Sequence, residues 1–179
     1  MITVGEETFI SDLGAGEYVK GTFEHKTRYT FLQNSSRGHS VPIINGKYQS
    51  DGDEYRSTNV SATENIFEMD IAKTYPDGII DSIKRKFELY DKKIILTDNF
   101  ERSKMTESIV ERFITKLEPA ICDGYIDCGV GKIVYDKSKY QPTINTEIFS
   151  SRKGPETIYL IDFSAVSGDQ NTFIFEFIM

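Results

Sequence analysis

The sequence predicts an all-β chain: an antiparallel two-layer β-sandwich with little or no helix, formed as one domain over residues 1–179. Three observations predict it. Short runs rich in Ile, Thr, Val, Phe and Tyr alternate with clusters of Gly, Asn and Asp, which is strand and turn chemistry. Apolar residues recur with a period of two in the clearest segments, so one face of each is dry and the other wet. Almost no window offers the helices that a parallel sheet needs for its crossovers. With 179 residues, 39% of them hydrophobic, the chain is long enough to bury a sizeable core.

Taken in chain order, Thr8-Phe9-Ile10 reads as a strand ending at the glycine-rich corner Asp12-Leu13-Gly14-Ala15-Gly16. Arg28 to Leu32 and Ser40 to Ile44 read as strands joined by Asn34 to Gly38, with Asn45-Gly46 as a turn. Ile83 to Tyr90 has the clearest alternation: Ile83, Phe87 and Leu89 on one face, with Arg85 the charged exception among them, against Lys84, Lys86, Glu88 and Tyr90. A turn at Asp91-Lys92 returns the chain through Ile94 to Thr97 as a hairpin. Thr106 to Leu117 fits both periods, since Ile109, Phe113 and Leu117 lie at helical spacing while Ile109, Glu111 and Phe113 alternate with Val110, Arg112 and Ile114. Its β-branched content favours strand. Lys132 to Tyr135, Thr157 to Phe163 and Thr172 to Phe177 complete the set, and the last runs straight to the chain end, as a pinned central strand would. The expected core is Phe87, Leu89, Ile95, Ile109, Phe113, Tyr159, Ile161, Phe175 and Phe177.

Composition narrows the function. The formal charge is -7, and no basic run exceeds Lys84-Arg85-Lys86, which argues against nucleic acid as a partner. No stretch approaches the roughly 18 apolar residues of a membrane span. The N-terminus lacks a basic region followed by an apolar stretch, so no signal peptide is expected in this chain and the compartment stays open. Cys122 and Cys128 flank Asp123-Gly124; a two-residue turn there sets Cys122 opposite Tyr125 and Cys128 out of reach, which favours two reduced thiols. No phosphate loop, paired metal-spaced His or Cys, or nucleophile turn is present. Of the two histidines, His25 sits among charges in Glu24-His25-Lys26 and reads as a surface residue, whereas His39 follows the polar corner Ser35-Ser36-Arg37-Gly38 and precedes an apolar strand.

Three segments carry a family likeness: Phe9 to Tyr18, Arg28-Tyr29 with Asn34 to Gln49, and the hairpin from Lys84 to Phe100. Together they resemble the C-terminal β-sandwich region of the heparinase II/III-like polysaccharide lyases, over most of residues 7 to 120. The resemblance implies a bacterial enzyme class in which an α/α toroid precedes the sandwich and uronate-containing glycans, glycosaminoglycan or alginate, are cleaved by β-elimination. It places the family's carboxylate metal ligand on Asp12 and its later histidine ligand on His39, with zinc as the implied ion, and it puts Arg37, Tyr29 and Tyr48 toward substrate. It also implies that Asp12 and His39 stand within roughly 3 to 4 Å of each other. The residue-level alternative is that Asp12 caps the Gly14 to Gly16 turn.

The chain also departs from that pattern. The family's histidine-rich segment, which supplies a further ligand and a substrate-facing histidine, lies upstream of the point where this chain starts, and the toroid with its catalytic tyrosine is absent. The family's His-Asn is His39-Ser40 here. β-Elimination needs a group to neutralise the uronate carboxylate, a base for the C5 proton and an acid for the leaving oxygen. Two histidines and one carboxylate corner cannot fill those roles, so no catalytic residue is assigned within this chain. The expectation is a lyase module, inactive alone, that meets an acidic polysaccharide through the full-length enzyme. The other reading is a non-catalytic carbohydrate-binding or scaffold domain, with Tyr18, Tyr29 and Tyr48 stacking on sugar rings.

Overall fold

A computed structural model describes every residue of the chain except His25, so the surface reading of that histidine lies outside the described residues. Strands are numbered in chain order. A short hairpin, β1 (Ile2–Val4) and β2 (Glu7–Ile10), enters two larger antiparallel sheets. The eight-stranded sheet runs, in spatial order, β4 (Thr58–Ala62), β5 (Ile66–Asp70), β6 (Ser82–Tyr90), β7 (Lys93–Glu101), β14 (Thr172–Ile178), β11 (Lys132–Tyr135), β10 (Tyr125–Asp127) and β9 (Ala120–Cys122). The four-stranded sheet runs β12 (Tyr140–Ser151), β13 (Gly154–Ala165), β8 (Ile109–Thr115) and β3 (Ile43–Ile44). Helical structure among the described residues amounts to four three-residue 3-10 turns. The all-β sandwich expected from the sequence is what the chain forms.

The main core lies between the sheets. Phe113 of β8 meets Phe163, Phe175 and Phe177 edge-on, with ring centroids 5.8, 4.9 and 5.1 Å away. That geometry sets the positive ring edge of one residue against the negative face of another. The C-terminal strand β14 is central, bonded to β7 on one side and β11 on the other, so its Phe173, Phe175 and Phe177 are all buried. Tyr90 pairs with Lys93 across the two-residue Asp91-Lys92 turn, and Cys122 pairs with Tyr125 across Asp123-Gly124, as the spacing predicts. Both cysteines are free. The Cys128 thiol is pushed up to about 12 by burial and by Asp127, which keeps it protonated and unreactive at neutral pH.

Three sequence expectations are corrected. Arg28 to Leu32 is not a strand: Arg28–Thr30 and Leu32–Asn34 form consecutive 3-10 turns, and the strand expected from Ser40 shrinks to Ile43–Ile44. The hydroxyls and amides of this polar stretch compete for the backbone; Thr30 Oγ1 donates to Thr27 O and Asn34 Nδ2 to Arg28 O. Of the nine expected core residues, Ile109, Phe113, Ile161, Phe175 and Phe177 are buried, Phe87, Ile95 and Tyr159 are half-buried, and Leu89 is 45% exposed. β6 and β7 outrun the sandwich at their shared turn, where alternation persists with nothing left to cover it. In β7 the dry face carries Leu96, Asp98 and Phe100, the opposite phase from Ile95.

β8 explains the double periodicity of its sequence. Ile109 and Phe113 face the main core. Ile114, on the opposite face, joins a second apolar cluster with Leu13, Leu32, Phe149, Ile158 and Leu160. The irregular segment that carries Leu13 and Leu32 thus covers the outer side of the four-stranded sheet. A strand buried on both faces loses the clean alternation of a half-wet one.

Candidate functional site

The site begins at the free edge of β8. β3 pairs with only Val110 and Ile109, so the rest of that edge is bare of strand partners. Ile114 fills the gap twice: its carbonyl accepts from Ser11 N at 2.9 Å, and its N–H donates to Ser40 Oγ at 3.2 Å. One residue of β8 therefore anchors the segment entering Asp12 and the segment leaving His39. His39 Nδ1 lies 3.4 Å from Asp12 Oδ2. The turn reading of Asp12 holds at the same time, since its other oxygen, Oδ1, accepts from Gly14 N at 3.1 Å. Gly38 permits the close approach: a Cβ there would stand 2.5 Å from Leu32 O and 2.9 Å from Leu13 Cδ1, so alanine would force the corner apart.

Two arginines from different sheets fix the backbone around His39. Arg85 of β6 donates from Nη1 to Ser40 O at 3.0 Å, and Arg112 of β8 donates from Nη1 to Arg37 O at 3.0 Å. Each guanidinium is itself gripped. Asp162, the cross-strand partner of Arg112, accepts from Nε at 2.7 Å and Nη2 at 2.6 Å. Burial works against the Arg112 charge, yet Asp162 and, more weakly, Tyr48 hold it above its ordinary pKa. Arg85 forks onto its own cross-strand partner Asp98, with Nε 2.9 Å from Oδ1 and Nη2 2.5 Å from Oδ2, and Nη2 reaches Glu111 Oε2 at 3.2 Å. Asp98 and Glu111 are fully buried, and Arg85 is nearly so. One guanidinium thus faces two carboxyl groups in a dry core.

Burial, reinforced by Asp98 and only partly offset by Arg85, pushes the Glu111 carboxyl well above the usual glutamate range, and its Oε1 has no hydrogen-bond partner. The native state therefore keeps this proton to higher pH than the unfolded chain does. The resulting stabilisation is complete below the ordinary glutamate value and declines as pH rises through the native one, by up to about 1.4 kcal/mol per pH unit. Glu111→Gln, which cannot ionise, is expected to flatten that decline and to raise the melting temperature most at alkaline pH. Thermal melts from about pH 5 to pH 9 would show this, and an unchanged slope would refute it.

A polar cleft of about 380 Å³ opens beside His39, walled by Tyr29, Gln33, Asn34, Ser35, Ser36 and Gln49 among others. Its amides and hydroxyls suit a polyhydroxylated ligand rather than an apolar one. Of the residues expected to face substrate, Tyr29 lines this cleft. Arg37 turns away to pair with Glu147 at 3.0 Å, and Tyr48 is half-buried against Arg112. Among the described residues, no three His, Cys, Asp or Glu side chains gather as metal ligands, and Asp12 with His39 supplies two of the four donors that a structural zinc takes. Among the described residues, these donors do not by themselves make a zinc site. The buried Arg85, Asp98 and Glu111 network was missed as a feature of the site. Its sequence signal was a charge in phase with the apolar positions: Arg85 between Ile83 and Phe87, Glu111 between Ile109 and Phe113.

Fold and cleft together define a class: an antiparallel β-sandwich module with a histidine-bearing polar cleft at one edge of its smaller sheet. Two solved structures share the fold. One is a mutant of the heparan sulfate lyase HepC from Pedobacter heparinus, with TM-score 0.58 and 10% identity over 94% of this chain and 28% of that one. The other is a heparinase III, with TM-score 0.63 and 11% identity over 94% of this chain and 27% of that one. The chain spans a little over a quarter of the length of each. No family profile and no curated protein sequence matches it. The likeness is one of fold: the chain resembles the β-sandwich of these lyases.

Proposed function

We propose that this chain is the β-sandwich module of a polysaccharide lyase that cleaves uronate-containing glycans, of the heparan-sulfate or alginate kind, by β-elimination. The observation that carries this reading is the fold shared with a heparan sulfate lyase and a heparinase III over 94% of the chain. The meeting of Asp12 and His39 beside a polar cleft supports it. In this reading the general acid and base come from a helical toroid that closes over the cleft, and the sandwich contributes one wall of the glycan site. Asp12 and His39 are then two donors to a zinc ion whose remaining ligands lie outside this chain.

The test is to express the gene together with the coding sequence upstream of Met1 and to follow the ultraviolet absorbance of unsaturated uronate on heparan sulfate and alginate oligosaccharides. The longer product is expected to be active on one of them and to lose at least roughly tenfold of that activity with His39→Ala, the scale seen when a metal site is disturbed. The 179-residue chain alone is expected to give a flat trace. A rising trace from the isolated chain, abolished by His39→Ala, would place the chemistry here instead. An upstream sequence without a helical domain would turn the reading to a non-catalytic carbohydrate-binding module.

A further inference from the structure

A smaller hollow of about 170 Å³ adjoins the His39 cleft, and the two share Gln33 and Asn34 as a common wall. At its outer end Tyr18 and Phe23 stand together with ring centroids 5.1 Å apart, although Tyr18 is 60% exposed and Phe23 75% exposed. Two large aromatic side chains held side by side and this exposed leave a platform for a ligand, with Arg152 lying over one face of Tyr18.

Two arginines flank this platform, each with its guanidinium over an aromatic ring. The Arg152 guanidinium carbon lies 5.3 Å from the centre of the Tyr18 ring, and its Nη2 donates to the Tyr18 hydroxyl at 3.3 Å. Arg28, which lines the hollow, lies with its guanidinium carbon 5.4 Å from the centre of Tyr29, a wall of the His39 cleft. Among the described residues neither arginine belongs to an ion pair, whereas Arg37, Arg85 and Arg112 all do. In a chain of net charge -7, one guanidinium over the Tyr18 ring and another lining the adjoining hollow, neither in an ion pair among the described residues, leave anion-binding capacity along this face.

We infer that the Tyr18–Phe23 platform with Arg152 and Arg28 is a second sugar subsite, taking an anionic pyranose of the same glycan chain that enters the His39 cleft. The two ring planes are tilted 55° to each other, so the C–H face of the sugar packs on one ring and its edge on the other, while its carboxylate or sulfate meets Arg152 over Tyr18 or Arg28 in the adjoining hollow. This inference rests on the glycan reading above and adds where along the sandwich the chain runs and which charge selects it.

Isothermal titration of the 179-residue chain with heparan sulfate octasaccharide, alginate octasaccharide and neutral cello-oligosaccharide tests it. The two acidic ligands separate sulfate from carboxylate as the anion read. At least one is expected to bind, with affinity falling as salt rises, and the neutral one is not. Tyr18→Ala and Arg152→Gln, both at exposed positions that the core does not need, are each expected to weaken binding by roughly fivefold, while Tyr18→Phe retains most of it. Equal binding of the neutral ligand overturns the inference, as does the absence of binding to either acidic one. Binding that His39→Ala weakens but Tyr18→Ala and Arg152→Gln leave unchanged overturns the second subsite alone and leaves the lyase reading to its own absorbance test.

Discussion

Arg85→Ala is expected to cost about 3–5 kcal/mol of folding stability, the scale for removing one partner of a buried ion pair. The guanidinium has three partners: it forks onto Asp98, reaches Glu111 and holds the carbonyl of Ser40. Its loss leaves two buried carboxyl groups facing each other with no cation between them. Typical domains hold about 5–15 kcal/mol in all, so the variant should denature at far lower urea and lose the ordered His39 loop with it. Circular dichroism against urea, with tyrosine fluorescence as a second probe in a chain without Trp, gives the measurement. The companion triple replacement, Arg85→Met with Asp98→Leu and Glu111→Met, is expected to be far less damaging, because an apolar substitute removes the desolvation cost along with the attraction. A mild Arg85→Ala together with a crippling triple variant would reverse this account.

Phe113→Ala is expected to cost about 3–5 kcal/mol as well, by a different route. The ring is buried at the centre of the sandwich and touches aromatic residues of β13 and β14, so it joins the two sheets through contacts distant in sequence. Strand backbones on either side cannot close the void without breaking their ladders, so a cavity remains. Urea melts would show the lowered midpoint. Phe113→Leu, which keeps most of the volume, should lose much less, and equal losses for the two would mean that the ring edges rather than the filled space carry the effect.

The two variants mark different degrees of legibility in the sequence. The core position of Phe113 follows from alternation within Ile109 to Thr115, and the Asp91-Lys92 and Asp123-Gly124 turns follow from residue type and spacing; these are local properties. The ends of strands are less local. Leu89 carries the right phase and is still exposed, because whether β6 is covered there depends on how far the opposite sheet extends. The stretch from Arg28 to Leu32 has strand residues, yet it turns in 3-10 steps because its hydroxyls and amides bond to nearby backbone and the outer face of the small sheet needs Leu32 to fold down on it.

The site divides in the same way. Residue pattern and family likeness together singled out Asp12 and His39 and led to the expectation that they meet; strand and turn chemistry, the period-two pattern and the near absence of helical windows predicted the sandwich and the phase of most core residues, and the apolar run to the chain end predicted its central last strand. Only the tertiary structure decided what holds the pair in place. Arg85 and Arg112 come from opposite sheets to grip the carbonyls on either side of His39, and Ile114 ties Ser11 and Ser40 to one strand edge. Those contacts join residues as far apart in the chain as Ser11 and Ile114. Pattern reading reports which face of its own strand a side chain takes, but the partner waiting on that face is set by the packing of one sheet on the other, a property of the whole chain that no local window contains.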